Sequence, residues 1–256
     1  MSSIKDAFKN KKAFIAYLMA GDPNLAVSAE YILTVQDAGA DMIEIGIPFS
    51  NPIAEGEVRQ AASTRAIAEG TRLDGIFEMV ASIKDKMRIP LVFMTYLNPV
   101  FVYGYGRFFA KCAEIGICGV IVPDLPFEEQ GEAKIIAEKY GIEIVTIVAP
   151  TSEKRIARIA KNAEGFVYLV SSMGVTGVRS EITTDLTAMI SDIRRFTDVP
   201  IAVGFGISTP EQAKYICAAA DGVIVGSAIV LIVGEHGENA SQALHGYVKA
   251  VKQSCL

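Results

Sequence analysis

The sequence predicts an α/β protein whose parallel strands close into a (β/α)₈ barrel with an additional N-terminal helix. Short apolar runs rich in β-branched residues recur eight times along the 256 residues, and stretches with a helical period separate them. The runs are almost continuously hydrophobic and lack Asn-Gly hairpin signals, as is typical of parallel strands covered by helices. Eight such units can close a sheet into a barrel. An open doubly wound sheet is the alternative, but no G-x-G-x-x-G follows the first strand.

The apolar runs give the order of the predicted strands. They begin at Phe14, Met42, Leu91, Gly119, Glu143, Gly165, Ile201 and Gly222. Helical periodicity is clearest in three of the intervening segments, "SAEYILTVQDAGA", "EQGEAKIIAEKYG" and "PEQAKYICAAA", some of which end in Gly as helices often do. The basic segment before the first strand is predicted to be a helix. Because no linker or change of composition interrupts the pattern, we expect residues 1–256 to form a single barrel domain.

Composition excludes several classes of function. A net charge of −5 and a pI near 5.2 give no electrostatic attraction for nucleic acid or an anionic membrane, so a bound anion must be held locally. No apolar run approaches the roughly 20 residues that span a bilayer. The four cysteines show no C-x-x-C spacing, and three of them lie among small apolar residues, which indicates buried side chains in a reducing compartment. The composition therefore predicts a cytoplasmic protein.

Glu44 is the first candidate for catalysis. It lies in the run Met42–Ile47, whose isoleucines alternate and are expected to face the helices, so that Glu44 points into the barrel near its mouth. A structural carboxylate paired with a buried Arg or Lys is the alternative, but none of the predicted strands contains a basic residue. An unpaired acid at this place should have a raised pKa, which suits proton transfer near neutral pH.

The distribution of other reactive side chains narrows the chemistry. Without a lysine in a strand, the barrel lacks the amine that Schiff-base aldol chemistry needs. The two histidines, His236 and His245, both follow the last predicted strand, so no metal site is expected. Any cleavage of a carbon–carbon bond would therefore rely on carboxylates.

Glycines at the ends of the last strands predict a phosphate site. Gly204, Gly206 and Gly226, with Ser227, follow the seventh and eighth strands, where barrels often bind phosphate through backbone amides and a helix N-terminus without a basic residue. Each glycine alone is more often a turn residue. The polar, Gly-containing segment 171–185, after the strand that carries Tyr168, is either a lid over a phosphorylated substrate or an ordinary surface loop.

Seven segments together resemble the tryptophan synthase α-subunit family over nearly the whole chain. In order they are "GDPN", "EIGIPFS", "MTYLNPV", "PDLPFEE", "GFVYLVSSMGVTGVR", "VGFGIS" and "DGVIVGSAIV". The resemblance implies a (β/α)₈ barrel that cleaves indole-3-glycerol phosphate into indole and glyceraldehyde 3-phosphate. It also implies no cofactor on this chain and an α₂β₂ heterotetramer with a pyridoxal-phosphate β subunit that receives the indole.

The resemblance also implies roles for individual residues. Glu44 matches the catalytic glutamate, and Glu55 stands where the family has an aspartate that binds the indole N–H. The substrate-binding positions are Tyr17, Tyr96, Tyr168 and Thr176, and the phosphate-binding positions are Gly177, Gly206, Gly226 and Ser227. This chain departs from the family pattern most at Asn51, Glu55, Glu57 and Arg59, the last replacing an apolar residue. Two alternatives stay open: a free-standing indole-releasing lyase, and a weakly active subunit that binds phosphate ligands and mainly activates a β subunit.

Overall fold

The computed structural model describes residues 3–150, 155–170, 186–204 and 206–256, and its strands form one parallel sheet. The strands are β1 Ala13–Met19, β2 Met42–Gly46, β3 Leu91–Met94, β4 Ile117–Ile121, β5 Glu143–Ile144, β6 Thr146–Val148, β7 Val167–Val170, β8 Ile201–Gly204 and β9 Gly222–Val225. Their order is β5-β4-β3-β2-β1-β9-β8-β7-β6. Only Val145 separates β5 from β6, so the two ends of the sheet meet in one interrupted strand and the barrel closes. The predicted barrel and its eight strands are confirmed.

Helices surround the barrel between successive strands. They are α1 Ile4–Phe8, α2 Leu25–Asp37, α3 Glu57–Ala68, α4 Leu73–Ile83, α5 Leu97–Tyr103, α6 Tyr105–Ile115, α7 Gly131–Lys139, α8 Ile156–Lys161, α9 Leu186–Arg194, α10 Pro210–Ala219, α11 Ser227–His236 and α12 Ser241–Ser254. Local sequence explains several helix starts. The Thr209 hydroxyl accepts a hydrogen bond from the Gln212 amide, and Pro210 occupies the first helical position of α10. Asn24 caps α2 in the same way through the Val27 amide.

The apolar side chains form two clusters that the strands separate. One lies between the sheet and the helices and contains Ile43 and Ile45 of β2. The other fills the barrel interior and contains Met42 of the same strand, together with Tyr17 and Tyr168. Successive residues of β2 therefore face opposite sides, as expected for a strand. This alternation confirms that Glu44 points into the barrel.

The N-terminal helix α1 closes the end of the barrel opposite the carboxyl ends of the strands. Ile4 is 1% exposed, and its Cδ1 atom lies 2.7 Å from the place that a Cβ atom on Gly119 would occupy. The Phe8 ring packs on the Phe166 ring with centroids 5.7 Å apart. A side chain at Gly119 would thus displace α1, which explains the glycine in the middle of β4.

The cysteines differ from the expectation at one pair. Cys217 in α10 and Cys255 after α12 form a disulfide, with Cα atoms 5.5 Å apart. Cys217 is buried, as predicted, but the prediction of a free thiol typical of a reducing compartment is wrong for this residue, because α10 and α12 pack together and bring distant cysteines within bonding range. Cys112 and Cys118 are free, as expected. Within the described residues, no helix is both long and apolar enough to cross a membrane.

Candidate active site

Glu44 lies on β2 and its side chain is fully buried inside the barrel. Neither carboxylate oxygen has a hydrogen-bond partner in the part of the chain that the structure describes. Burial disfavours the charged form and raises the pKa of Glu44 from its ordinary value of 4.5 to about 7. Glu44 is therefore an acid that can both give and take a proton near neutral pH, as the sequence predicted.

This raised pKa predicts how stability depends on pH. A carboxyl group whose pKa rises on folding binds its proton more tightly in the folded state than in the unfolded state. The buried Glu44 carboxyl therefore does not lower the free energy of unfolding below pH 4.5, and it lowers this free energy increasingly between pH 4.5 and about 7. Over the full interval the free energy of unfolding should fall by about 3 kcal/mol on account of this group. Denaturant unfolding of the parent and of Glu44→Gln should show the variant gaining relative stability across this range. A pH-independent difference would contradict the shift.

Glu55 occupies the loop between β2 and α3 and is 5% exposed. The loop is held by hydrogen bonds: the Gln60 side-chain amide donates to the Glu55 carbonyl at 2.7 Å, and the Ala54 amide donates to the Tyr96 hydroxyl at 3.1 Å. The Tyr96 ring also packs on Phe49, with centroids 5.3 Å apart. Burial raises the pKa of Glu55. Tyr96 therefore supports the loop that carries the second acid.

The helix after this loop is tied to the neighbouring elements. The Ser63 hydroxyl accepts from the Phe49 amide and donates to the Phe49 carbonyl, at 2.8 and 2.9 Å. Further along α3, Arg65 forms two hydrogen bonds with the buried carboxylate of Asp22, at 2.8 and 2.7 Å. A bidentate pair of this kind holds the helix in a definite orientation. Residues in the first turn of α3 are thereby placed against the barrel mouth.

Two tyrosines line the barrel interior beside these acids. The Tyr17 hydroxyl lies 2.1 Å from the position that a Cβ atom on Gly46 would occupy. The Tyr168 hydroxyl lies 2.5 Å from the position that a Cβ atom on Gly204 would occupy. Glycine at the ends of β2 and β8 therefore leaves room for the aromatic side chains. Burial raises the pKa of Tyr17, and the negative charge of Glu55 raises it further. The Tyr17 hydroxyl and the Glu55 carboxylate therefore belong to one polar cluster.

Arg59 is a member of the site that reasoning from the strands missed. It comes from the first turns of α3, is 2% exposed, and places its guanidinium carbon 3.5 Å from the centre of the Tyr17 ring. The strands contain no basic residue, as the sequence indicates, but helix α3 brings a basic group beside the buried acids. Its positive charge lowers the pKa of Glu44 and of Glu55, an effect smaller than the opposing effect of burial. The change from an apolar residue in the family pattern was the available signal.

The predicted phosphate site forms a pocket at the ends of β8 and β9. Gly206, Gly226 and Ser227 line it together with Tyr168 and Arg59. Gly206 has a φ of 79°, in the region that glycine adopts readily. Gly226 precedes the first turn of α11, whose N-terminal amides favour an anion. The structure thus brings three of the four predicted phosphate-binding residues together, but with a cation beside them.

The remaining predicted site residues, Thr176 and Gly177, lie outside the described residues, as does the whole candidate lid 171–185. Among the residues that the structure does describe, no three His, Cys, Asp or Glu side chains are grouped to hold a metal ion.

Comparison with known proteins matches this geometry to one family. The profile of the family described as tryptophan synthase alpha chain matches residues 4–254. The tryptophan synthase alpha chain of Lacticaseibacillus casei is 46% identical over 98% of this chain and 95% of its own length. That of Lactiplantibacillus plantarum is 44% identical over 99% and 96%.

Solved structures agree with the sequence relatives. A tryptophan synthase chain from Mycobacterium tuberculosis superposes with a TM-score of 0.90 and 32% identity, covering 100% of this chain and 99% of that one. A chain of the tryptophan synthase a2b2 complex from Pyrococcus furiosus gives a TM-score of 0.84 and 34% identity, covering 94% and 97%. The chain therefore belongs to the tryptophan synthase alpha chain family.

Proposed function

We propose that this chain cleaves indole-3-glycerol phosphate by a retro-aldol reaction, with Glu44 as general acid and base and Glu55 as the carboxylate that binds the indole N–H. The observation that carries the proposal is the pair of buried acids at one barrel mouth beside a glycine-lined pocket. A pKa of about 7 lets Glu44 exist in both protonation states at neutral pH. Family membership supports the reaction class.

The proposed steps use each acid differently. Protonated Glu44 delivers a proton to indole C3, which converts the ring into an indolenine cation. Ionised Glu55 accepts a hydrogen bond from the ring N–H and stabilises this positive charge in a site with little water. The Glu44 carboxylate then takes the proton of the glycerol hydroxyl as the carbon–carbon bond breaks. Indole and glyceraldehyde 3-phosphate leave, and Glu44 is again protonated.

The tyrosines have supporting roles in this proposal. The buried rings of Tyr17 and Tyr168 help to exclude water and so strengthen the electrostatic effect of the two acids. Tyr96 maintains the Glu55 loop through its hydrogen bond with Ala54. Gly206, Gly226 and Ser227 are proposed to bind the phosphate through their backbone amides. Thr176 and Gly177 are proposed to complete the site from the segment 171–185.

We further propose that a tryptophan synthase β subunit docks beside the barrel mouth, as the a2b2 assembly of the Pyrococcus furiosus relative suggests. Large apolar side chains are exposed on the loop that follows β2 and on helix α5, which follows β3: Ile53 is 73% exposed, Phe101 65% and Val102 75%. Exposed apolar residues of this size often belong to protein interfaces. Pyridoxal phosphate would then belong to the partner, this chain would use no cofactor, and the complex would act in the cytoplasm.

Two other candidate functions differ from this proposal in how they depend on a partner. A free-standing lyase would release indole at full rate without a partner. A weakly active subunit is favoured by the departures from the family pattern in the segment 51–59, which comprises the loop after β2 and the first turn of α3 and carries the second acid.

Indole release by the purified chain, measured alone and with a β subunit, tests the proposal. We expect slow release by the chain alone and a marked increase with the partner, because docking should order the loops around the substrate. Full activity without a partner would identify the free-standing lyase. Phosphate-ligand binding with no indole release under either condition would refute the catalytic proposal.

A further inference from the structure

Among the described residues, no carboxylate forms a hydrogen bond with the buried guanidinium of Arg59. Its Nε atom has no hydrogen-bond partner in the described residues, and both oxygens of Glu44 are also unpartnered there. Two of its contacts are with neutral groups: the Tyr17 ring centre lies 3.5 Å from the guanidinium carbon, and the Met94 sulfur lies 3.4 Å from Nη1. The charges of Glu44 and Glu55 act on this cation without forming a hydrogen bond to its Nε, and a guanidinium that is 2% exposed with an unsatisfied donor is costly to bury. Such a group is expected to gain a partner when the site is filled.

The guanidinium points into the glycine-lined pocket. Nη2 lies 2.7 Å from the place that a Cβ atom on Gly226 would occupy, so a side chain there would require the guanidinium to move. Gly206 and Ser227 line the same pocket, and α11 begins at Ser227 with its N-terminal amides at this end. A cation, a helix N-terminus and flexible glycine backbone thus converge on one place. Each of these features favours a negatively charged ligand.

We propose that Arg59 binds the phosphate group of the substrate and makes this chain specific for a phosphorylated ligand. This inference rests on the proposed function and adds a charged side chain to a site that the sequence predicted to work through backbone amides alone. The free cavity beside the guanidinium is about 10 Å³, room for about one water molecule. The guanidinium must therefore withdraw from Gly226 when phosphate enters, and then donates to the phosphate oxygens from the side of Tyr17.

A different role for Arg59 is to act only as a countercharge for the two acids. Its charge does lower the pKa of Glu44 and Glu55. However, the Glu44 oxygens accept no hydrogen bond in the described residues, and the Arg59 side chain instead reaches the wall formed by Gly226. A countercharge would alter the pH dependence of turnover, whereas a phosphate ligand alters the affinity for the anion itself. The two roles therefore predict different measurements.

The test compares Arg59→Met, Arg59→Lys and the control Arg72→Gln, which removes the same charge from an exposed position before α4. Isothermal titration calorimetry with inorganic phosphate gives the affinity without any turnover. We expect Arg59→Met to weaken phosphate binding about tenfold or more, since charge-assisted hydrogen bonds to a guanidinium are lost. Arg59→Lys should lie between parent and Arg59→Met, because the charge stays but the paired donors do not. Arg72→Gln should bind like the parent.

Steady-state kinetics adds a second measurement. In Arg59→Met the KM for indole-3-glycerol phosphate should rise about tenfold. Because loss of the positive charge also raises the pKa of Glu44 and Glu55, kcat is compared at the pH optimum of each variant. Unchanged or tighter phosphate binding in Arg59→Met would overturn the proposal. If the affinity for phosphate is unchanged and the pH–rate profile shifts, Arg59 acts as a countercharge. If Arg59→Met does not fold, phosphate affinity in Arg59→Lys equal to that of the parent overturns it. Should the parent bind phosphate through Arg59 yet release no indole, the proposed function fails and this inference stands.

Discussion

Glu44→Gln is expected to abolish nearly all indole release while substrate binding persists. The barrier should rise on the order of 3 kcal/mol or more, which is a loss of at least about a hundredfold in kcat. Glutamine has nearly the size of the buried acid but cannot exchange a proton at neutral pH, so it blocks both proposed transfers. Because the Glu44 oxygens have no hydrogen-bond partner among the described residues, the amide breaks no such bond and the barrel should stay folded.

The matched control for this variant is Glu143→Gln. Glu143 begins β5 near the closed end of the barrel, where its Oε2 atom also lacks a hydrogen-bond partner among the described residues and burial also raises its pKa. It lies beside Gly165 and Ile4, away from the pocket at Gly226. Activity of Glu143→Gln should equal that of the parent. Near-normal turnover by Glu44→Gln, measured as steady-state indole release, would assign the proton transfers to another group.

Glu55→Ala is expected to lose most of the activity, by about tenfold to a hundredfold in kcat. Its carboxylate is proposed to accept the indole N–H and stabilise the positive charge of the ring, and a hydrogen bond to a charged group contributes about 1.5–3 kcal/mol. Glu55→Asp should retain much of the activity because an aspartate keeps the charge with one methylene less. The loop contacts through Gln60 and Tyr96 involve backbone atoms and therefore persist in both variants.

Glu57→Ala is the control for Glu55→Ala. Glu57 carries the same charge two residues later, in the first turn of α3, but is exposed. Indole release by the isolated chain should change little in Glu57→Ala, since an exposed charge is screened by solvent and salt. If Glu55→Ala were as active as the parent, the loop acid would have no part in the chemistry, and the two-carboxylate proposal would be wrong.

The sequence by itself determined the architecture and one catalytic candidate. Apolar runs that recur with helices between them identify parallel strands, because both faces of such strands are buried. Alternation within Met42–Ile47 then assigns Glu44 to the inner face, since successive side chains on a strand point to opposite sides. Burial explains the raised pKa of Glu44. These conclusions depend only on local periodicity and on the energetic cost of burying charge.

Tertiary structure alone decided which distant side chains meet. Arg59 belongs to a helix, so the pattern of the strands does not predict its place between Tyr17 and Gly226. The contacts of Ser63 and Arg65 anchor α3 and direct Arg59 to that place. The disulfide between α10 and the C-terminus arises in the same way, from the packing of elements far apart in sequence. Long side chains from helices reach several neighbours, so their partners depend on helix orientation, which local sequence patterns do not specify.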